Sequence, residues 1–86
     1  MAGWCVYILR CGDGTLYTGI TNDLEARLAA HTRGTASKYT RARPPARLAF
    51  HAPHPDRASA SRQEAALKKL SRAEKLALIR SARSSP

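Results

Sequence analysis

The run Cys5-Val6-Tyr7-Ile8-Leu9 has no polar interruption until Arg10. A strand without alternation is buried on both faces, which places it centrally in its sheet. A second β-branched and aromatic run follows, Thr15-Leu16-Tyr17-Thr18-Gly19-Ile20, and Cys11-Gly12-Asp13-Gly14 separates the two. This pattern predicts a β-hairpin, with Trp4 opening its first strand and Asp13-Gly14 tolerating positive φ at the turn. Side chains alternate with period two, so Tyr7 and Tyr17 share a face only if the loop has an odd number of residues or a bulge corrects the register. A three-residue loop with a G1 bulge at Gly14 meets that condition.

Beyond the hairpin the period changes. Asn22 as cap and Glu25 three residues later read as a capping box, opening a helix to about His31. Leu24, Leu28 and His31 fall on one face, and Arg27 sits one turn before His31 at the edge of that face. Thr32 to Pro45 is polar and cationic, with Gly34 and Pro44-Pro45, and reads as a loop. Ala46 to His51 carries Leu48 and Phe50 and predicts a third, short strand ended by Ala52-Pro53-His54-Pro55. Asp56 or Ser59 caps a second long helix through about Leu70, with Ala60, Leu67 and Leu70 inward. Ser71-Arg72-Ala73-Glu74 is another capping box, opening a last helix with Leu76 and Ile79 inward. Residues 1–80 read as a single domain, after a short leader Met1–Gly3, and Ser81 to Pro86 as a frayed tail.

Eighty-six residues bound the core to a modest size. Charge changes the picture more. Fifteen Lys and Arg oppose six Asp and Glu, for a formal net charge of +9. Most of these cations are arginine, which pairs bidentately with phosphate. Between Ala26 and Pro55 lie Arg27, Arg33, Lys38, Arg41, Arg43 and Arg47, with no acid. Such a clustered field favours a polyanion, most simply nucleic acid. Lys38-Tyr39-Thr40-Arg41 sets an aromatic among cations, which suits base stacking beside phosphate contacts; a solvent-exposed or core-anchoring Tyr39 is an equal reading.

Cys5 and Cys11 match no zinc spacing and form no secreted disulfide framework. Cys5 reads as core and Cys11 as a free turn thiol. His51 and His54 flank prolines without further ligand candidates, which argues against a metal site there. The chain has no signal peptide and no apolar stretch long enough to span a bilayer, so a reduced, cytoplasmic location is expected, with no membrane and no obligate protein partner. Glu64 stands out: it lies on the inward stripe between Ala60 and Leu67, where a carboxylate is costly unless paired. Lys68 at i+4 offers an ordinary surface pair worth about 0.3–0.5 kcal/mol. The other reading is a cation ligand or catalytic carboxylate. Two hairpin tyrosines, likewise, are either a packed cross-strand pair or a catalytic one.

Taken together these residues resemble the GIY-YIG nuclease superfamily, and specifically its small stand-alone bacterial proteins. The first signature tripeptide appears as Cys5-Val6-Tyr7 and the second as Tyr17-Thr18-Gly19. Arg27 matches the family's helix arginine, His31 the histidine one turn later, and Glu64 the metal-binding glutamate of the second long helix. Ile20 stands where some members carry lysine, and the chain has Leu76 near the position where several have asparagine. The resemblance implies an α+β fold with a three-stranded antiparallel sheet flanked by helices, in the order β-β-α-β-α-α. It further implies hydrolysis of DNA phosphodiester bonds with one divalent cation, Mg²⁺ or alternatively Mn²⁺. The acid inventory independently lacks the carboxylate cluster that a two-metal clamp needs. Mg²⁺ keeps its waters and is satisfied by one carboxylate plus substrate phosphate.

On that resemblance Glu64 holds the metal and Arg27 binds the scissile phosphate. Tyr7 orients or deprotonates the attacking water, Tyr17 supports it or holds phosphate, and His31 assists the water or contacts phosphate. A free phenol titrates at about 10, so a base role for tyrosine calls for a lowered value from Arg27 or metal. Arg33, Lys38, Tyr39, Arg41, Arg43 and Lys68 are the candidate nucleic-acid contacts, with DNA the expected partner and RNA left open. The competing class is a non-catalytic nucleic-acid-binding module on the same fold; an RNA- or ribosome-associated basic protein is a third.

Overall fold

The uninterrupted apolar run becomes β1 (Trp4–Arg10) and takes the centre of a three-stranded antiparallel sheet. The computed structural model describes residues 3–83; the first two residues of the expected leader Met1–Gly3 and residues 84–86 of the expected tail lie outside them. β2 (Leu16–Thr21) pairs on one side and β3 (Arg47–His54) on the other, in the order β2-β1-β3. In the β1–β2 register Tyr7 faces Gly19 and Leu9 faces Tyr17, so both tyrosines share one sheet face. The turn that achieves this has three loop residues. The Cys11 N–H donates to the Thr15 carbonyl and the Gly14 N–H to the Cys11 carbonyl, each at 2.9 Å. Gly14 takes φ +86°, the left-handed residue of a G1 bulge.

The even-numbered face builds the main core. Val6 and Ile8 pack against Leu67 and Ile79, with Leu16, Ile20, Phe50, Leu70 and Leu76 partly buried around them. Leu67 belongs to α3 (Arg57–Lys68), which starts at Asp56, whose Oδ1 accepts from the Ser59 N–H at 2.8 Å. Ile79 belongs to α4 (Arg72–Arg83), opened by the predicted capping box. Both of its bonds form: Glu74 N–H to Ser71 Oγ at 3.1 Å and Ser71 N–H to Glu74 Oε1 at 2.8 Å. α4 extends through Ser81–Arg83, where a frayed tail was expected. Arg72 donates to the Gly14 carbonyl and so ties α4 to the hairpin tip.

Three boundaries differ from the sequence expectation. α1 (Leu24–Arg33) is capped by Asp23, whose Oδ1 accepts from the Ala26 N–H at 3.1 Å, and not by Asn22. The box with Glu25 therefore does not form; Thr21 Oγ1 instead accepts the Asp23 N–H at 3.0 Å and fixes the entry. The stretch read as a loop contains a short helix, α2 (Lys38–Arg41), capped by Ser37 Oγ, which accepts the Tyr39 N–H at 3.1 Å. β3 runs to His54, through Pro53. A proline lacks the N–H that a central strand needs, but β3 is an edge, where that donor is dispensable. A register shift between Ile8 and Leu9 sets Phe50 opposite Ile8 and Leu48 opposite Leu9, leaving Ala49 as the extra residue.

The cysteines exchange roles. Cys11 at the turn is buried and Cys5 is half-exposed; both are free thiols. Among the described residues no helix is long and apolar enough to cross a membrane.

Candidate active site

The odd-numbered face of the hairpin is where the chemistry collects. Tyr7 is 2 % exposed, and its ring lies over Gly19. A Cβ at Gly19 would stand 2.6 Å from Tyr7 Oη and 2.8 Å from Cζ. The second signature glycine is thus a close-approach position, without which the phenol could not lie flat across β2. α1 covers this face and delivers His31, 4 % exposed, with Nε2 3.0 Å from Tyr7 Oη. The Tyr17 ring meets the same imidazole edge-on, with centroids 5.3 Å apart. One histidine therefore sits against both hairpin tyrosines.

The hydrogen-bond directions depend on the His31 tautomer. Thr40 Oγ1 lies 2.8 Å from His31 Nδ1 and 3.4 Å from the Ser37 carbonyl; when its hydroxyl turns to Ser37, its oxygen accepts from Nδ1–H. With Nδ1 protonated, Nε2 is a bare lone pair and accepts from the Tyr7 hydroxyl. Burial, and next the Arg27 charge, hold the imidazole below its ordinary value of 6.5, which keeps it neutral. Burial also pushes the Tyr7 phenol up to about 12; Tyr17, Cys5 and Glu64 add to the rise and Arg27 opposes it. This is opposite to the lowered value that a freestanding tyrosine base requires. In that tautomer Tyr7 is a proton donor to His31, and the two form one unit.

Arg27 is exposed on α1, and Glu64 projects from α3 with its side chain 24 % exposed. Their charges act on the Tyr7 phenol in opposite directions, Arg27 lowering its value and Glu64 raising it. Glu64 Oε2 lies 3.4 Å from Lys68 Nζ, the ordinary i,i+4 pair. Among the described residues no group of three or more His, Cys, Asp or Glu side chains could share a metal. The donor set is one partly buried, hard carboxylate, which fits a Mg²⁺ or Mn²⁺ ion that keeps most of its waters. His54 bonds to Gln63 through Nε2, while His51 is exposed.

The candidate nucleic-acid residues divide into two groups. Tyr39 stacks near Tyr17, ring centroids 5.9 Å apart, with the Arg43 guanidinium 3.9 Å above its own ring. Arg43 in turn pairs with Asp13 of the hairpin tip at 3.1 Å. Arg33 and Arg41 instead line a separate cavity at the end of α1. Lys38 and Lys68 are exposed. Sequence reasoning missed Thr40, which bonds to His31 Nδ1, and Ser37, which caps α2. The Ser37-x-Tyr39-Thr40 spacing carried a capping signal that the surrounding cations obscured.

Comparison with known proteins identifies the family and the fold. The model of the GIY-YIG catalytic domain matches residues 3–77. A UPF0213 protein of Xanthomonas axonopodis pv. citri is 58 % identical over 76 residues, covering 88 % of this chain and 74 % of the relative. One from Streptococcus sanguinis is 49 % identical over 75 residues, covering 87 % and 86 %. The solution NMR structure of a UPF0213 protein from Bacillus halodurans superposes with a TM-score of 0.60 at 42 % identity, covering 100 % of this chain and 89 % of that one. The chain belongs to the GIY-YIG catalytic-domain family, of nuclease type, and groups there with the UPF0213 proteins.

Proposed function

We propose that the protein is a metal-dependent nuclease that hydrolyses DNA phosphodiester bonds through a one-cation site. The observation that carries this reading is the Tyr7–His31 couple, whose phenol also feels the charges of Arg27 and Glu64. A packed cross-strand pair would need neither a histidine lone pair aimed at its hydroxyl nor a carboxylate and an arginine acting on it.

A phenol near 12 is a poor base alone, but it need not act alone. As the attacking water loses its proton to Tyr7 Oη, Tyr7 passes its own proton to His31 Nε2. The imidazole becomes imidazolium, held by Thr40 at Nδ1. The water oxygen bonds to phosphorus, and the bond to the 3′ oxygen breaks. Arg27, exposed beside the couple, binds the non-bridging phosphate oxygens and stabilises their developing charge. Tyr17 borders the imidazole and supports its orientation or takes a phosphate hydrogen bond. Both His31 nitrogens are engaged, so His31 acts through Tyr7 and is a positioning and proton-accepting residue. Glu64 is the residue that would hold the divalent cation, which when bound neutralises phosphate charge and stabilises the leaving oxygen.

Glu64→Ala tests the assignment. A nuclease loses cleavage while keeping much of its DNA binding. Binding without cleavage in the wild type under every metal condition would instead identify a non-catalytic module on this fold.

A further inference from the structure

A cavity lies behind the Tyr7–His31 couple. It has a volume of about 350 Å³ and is lined by His31, Arg33, Gly34, Thr40, Arg41 and the segment Pro44–Ala46. Ligand pockets range from about 300 to 1,000 Å³, so this one has room for a single small ligand. The cavity beside Arg27 is about 260 Å³ and the groove between Arg10 and Ile79 about 200 Å³, both below that range.

Its walls are of two kinds. Pro44, Pro45 and Ala46 give an apolar side that suits the flat face of a base. Arg33 and Arg41 give two guanidinium groups, and neither has a carboxylate partner among the described residues. Gly34 allows this arrangement in two ways. It closes α1 at φ +80°, and its N–H caps the Ala30 and His31 carbonyls, whose exposed partial charge would repel an anion. It also leaves room for the Arg41 stem, whose Cγ would be 3.0 Å from a Cβ at that position. The end of a helix is usually a poor anion site; here its carbonyls are capped and two arginines stand over it.

We propose that this cavity seats one nucleotide of the bound strand, its phosphate held by Arg33 and Arg41 and its base against Pro44-Pro45. The proposal rests on the nucleic-acid reading above and deepens it. The occupant is a base plus a phosphate, because two cations without an apolar wall would serve phosphate alone, and an apolar wall without cations would serve a nucleoside. His31 and Thr40 form the back of the cavity, so a nucleotide there borders the Tyr7–His31 couple from the side opposite Tyr7. One substrate nucleotide thereby sets the register of the strand relative to the reacting phosphate.

The test is a metal-free NMR titration of the full chain with a deoxynucleoside monophosphate, the matching nucleoside and inorganic phosphate in separate arms. The monophosphate should give saturable shifts at His31, Gly34, Thr40 and Ala46, and bind more tightly than either part. Arg33→Ala and Arg41→Ala, both at exposed positions, should each weaken binding about tenfold or more. Ala46→Phe fills the cavity without changing charge and should abolish the shifts. Absence of saturable shifts, shifts confined to Arg27 and Tyr17, or binding that survives all three substitutions would overturn the proposal. Phosphate binding as tight as the monophosphate would also overturn it, by leaving the base no role. The nuclease reading fails separately: nucleotide binding here without DNA cleavage refutes that reading alone, and cleavage without nucleotide binding refutes the pocket alone.

Discussion

Replacing Gly19 with alanine perturbs the centre of the site without touching any group that does chemistry. Gly19 has an ordinary strand backbone, so the effect is one of space alone. The new Cβ would lie 2.6 Å from Tyr7 Oη, 2.8 Å from Cζ and 3.2 Å from Cε1. Carbon needs about 3.5–4.0 Å, so the phenol must retreat by about 1 Å. Its hydroxyl is 3.0 Å from His31 Nε2, and a shift of that size breaks the bond. Overpacking costs about 1–3 kcal/mol and a buried acceptor left unsatisfied about 1–3 more. Alanine returns about 0.5–1 kcal/mol through the reduced freedom of the unfolded chain. The net loss is about 1–5 kcal/mol, a large share of the roughly 4–13 kcal/mol expected for a domain of this size. At about 4–8 °C per kcal/mol, the midpoint of thermal unfolding should fall by about 4 °C or more. Circular dichroism melting measures this, and the His31 ring nitrogen resonances report the broken bond. A midpoint within about 2 °C of wild type, with unchanged His31 signals, would refute the close-approach argument.

Three further outcomes follow from the same geometry. The unfolded chain protonates His31 at its ordinary value of 6.5 while the folded chain resists, so stability is full above pH 6.5 and declines as pH falls below it; denaturant titrations should show this slope, shallower in His31→Gln. The carboxylates Asp13, Asp56 and Glu74 are held below their ordinary values of 3.8, 3.8 and 4.5, so their loss of stability belongs to a lower window. Tyr7 keeps its proton up to about 12 in the folded state against 10.0 unfolded, so stability falls as pH rises from 10 towards 12; an ultraviolet phenolate titration should lose its latest step in Tyr7→Phe, which also lowers cleavage about 10²–10⁴-fold. Gly12→Ala sets a Cβ 1.9 Å from the Pro44 carbonyl oxygen, a clash that no side-chain rotation relieves; the Gly12 amide, bonded to the Arg43 carbonyl at 2.8 Å, should lose its hydrogen-exchange protection as the segment lifts from the hairpin.

The parts of the fold legible in the sequence were those set by one dominant local signal. The unbroken run from Cys5 to Leu9 determined a central strand, and Gly14 determined the bulge that puts both tyrosines on one face. The box at Ser71 and Glu74 formed as its spacing required. Where two signals competed, the reading failed. Asn22 and Asp23 are both good caps, and the Thr21 hydroxyl decided for Asp23. Pro53 argued against a strand, but only position in the sheet tells an edge from a centre. In the site, the residue types were readable and their coupling was not. That His31 would bond to Tyr7 on one side and to Thr40 of α2 on the other depends on a contact between residues 24 positions apart and a short helix hidden in a cationic stretch. The direction of the Tyr7 shift reversed for the same reason: burial outweighs the nearby Arg27 charge.

The most direct test of the central claim is a time course of cleavage on labelled single-stranded and duplex DNA. Mg²⁺, Mn²⁺ and EDTA are compared, with Glu64→Ala and Tyr7→Phe beside wild type. The account predicts cutting that requires the cation, disappears in Glu64→Ala and is strongly reduced in Tyr7→Phe. Cutting that persists in EDTA, or that is unchanged in either variant, would contradict it.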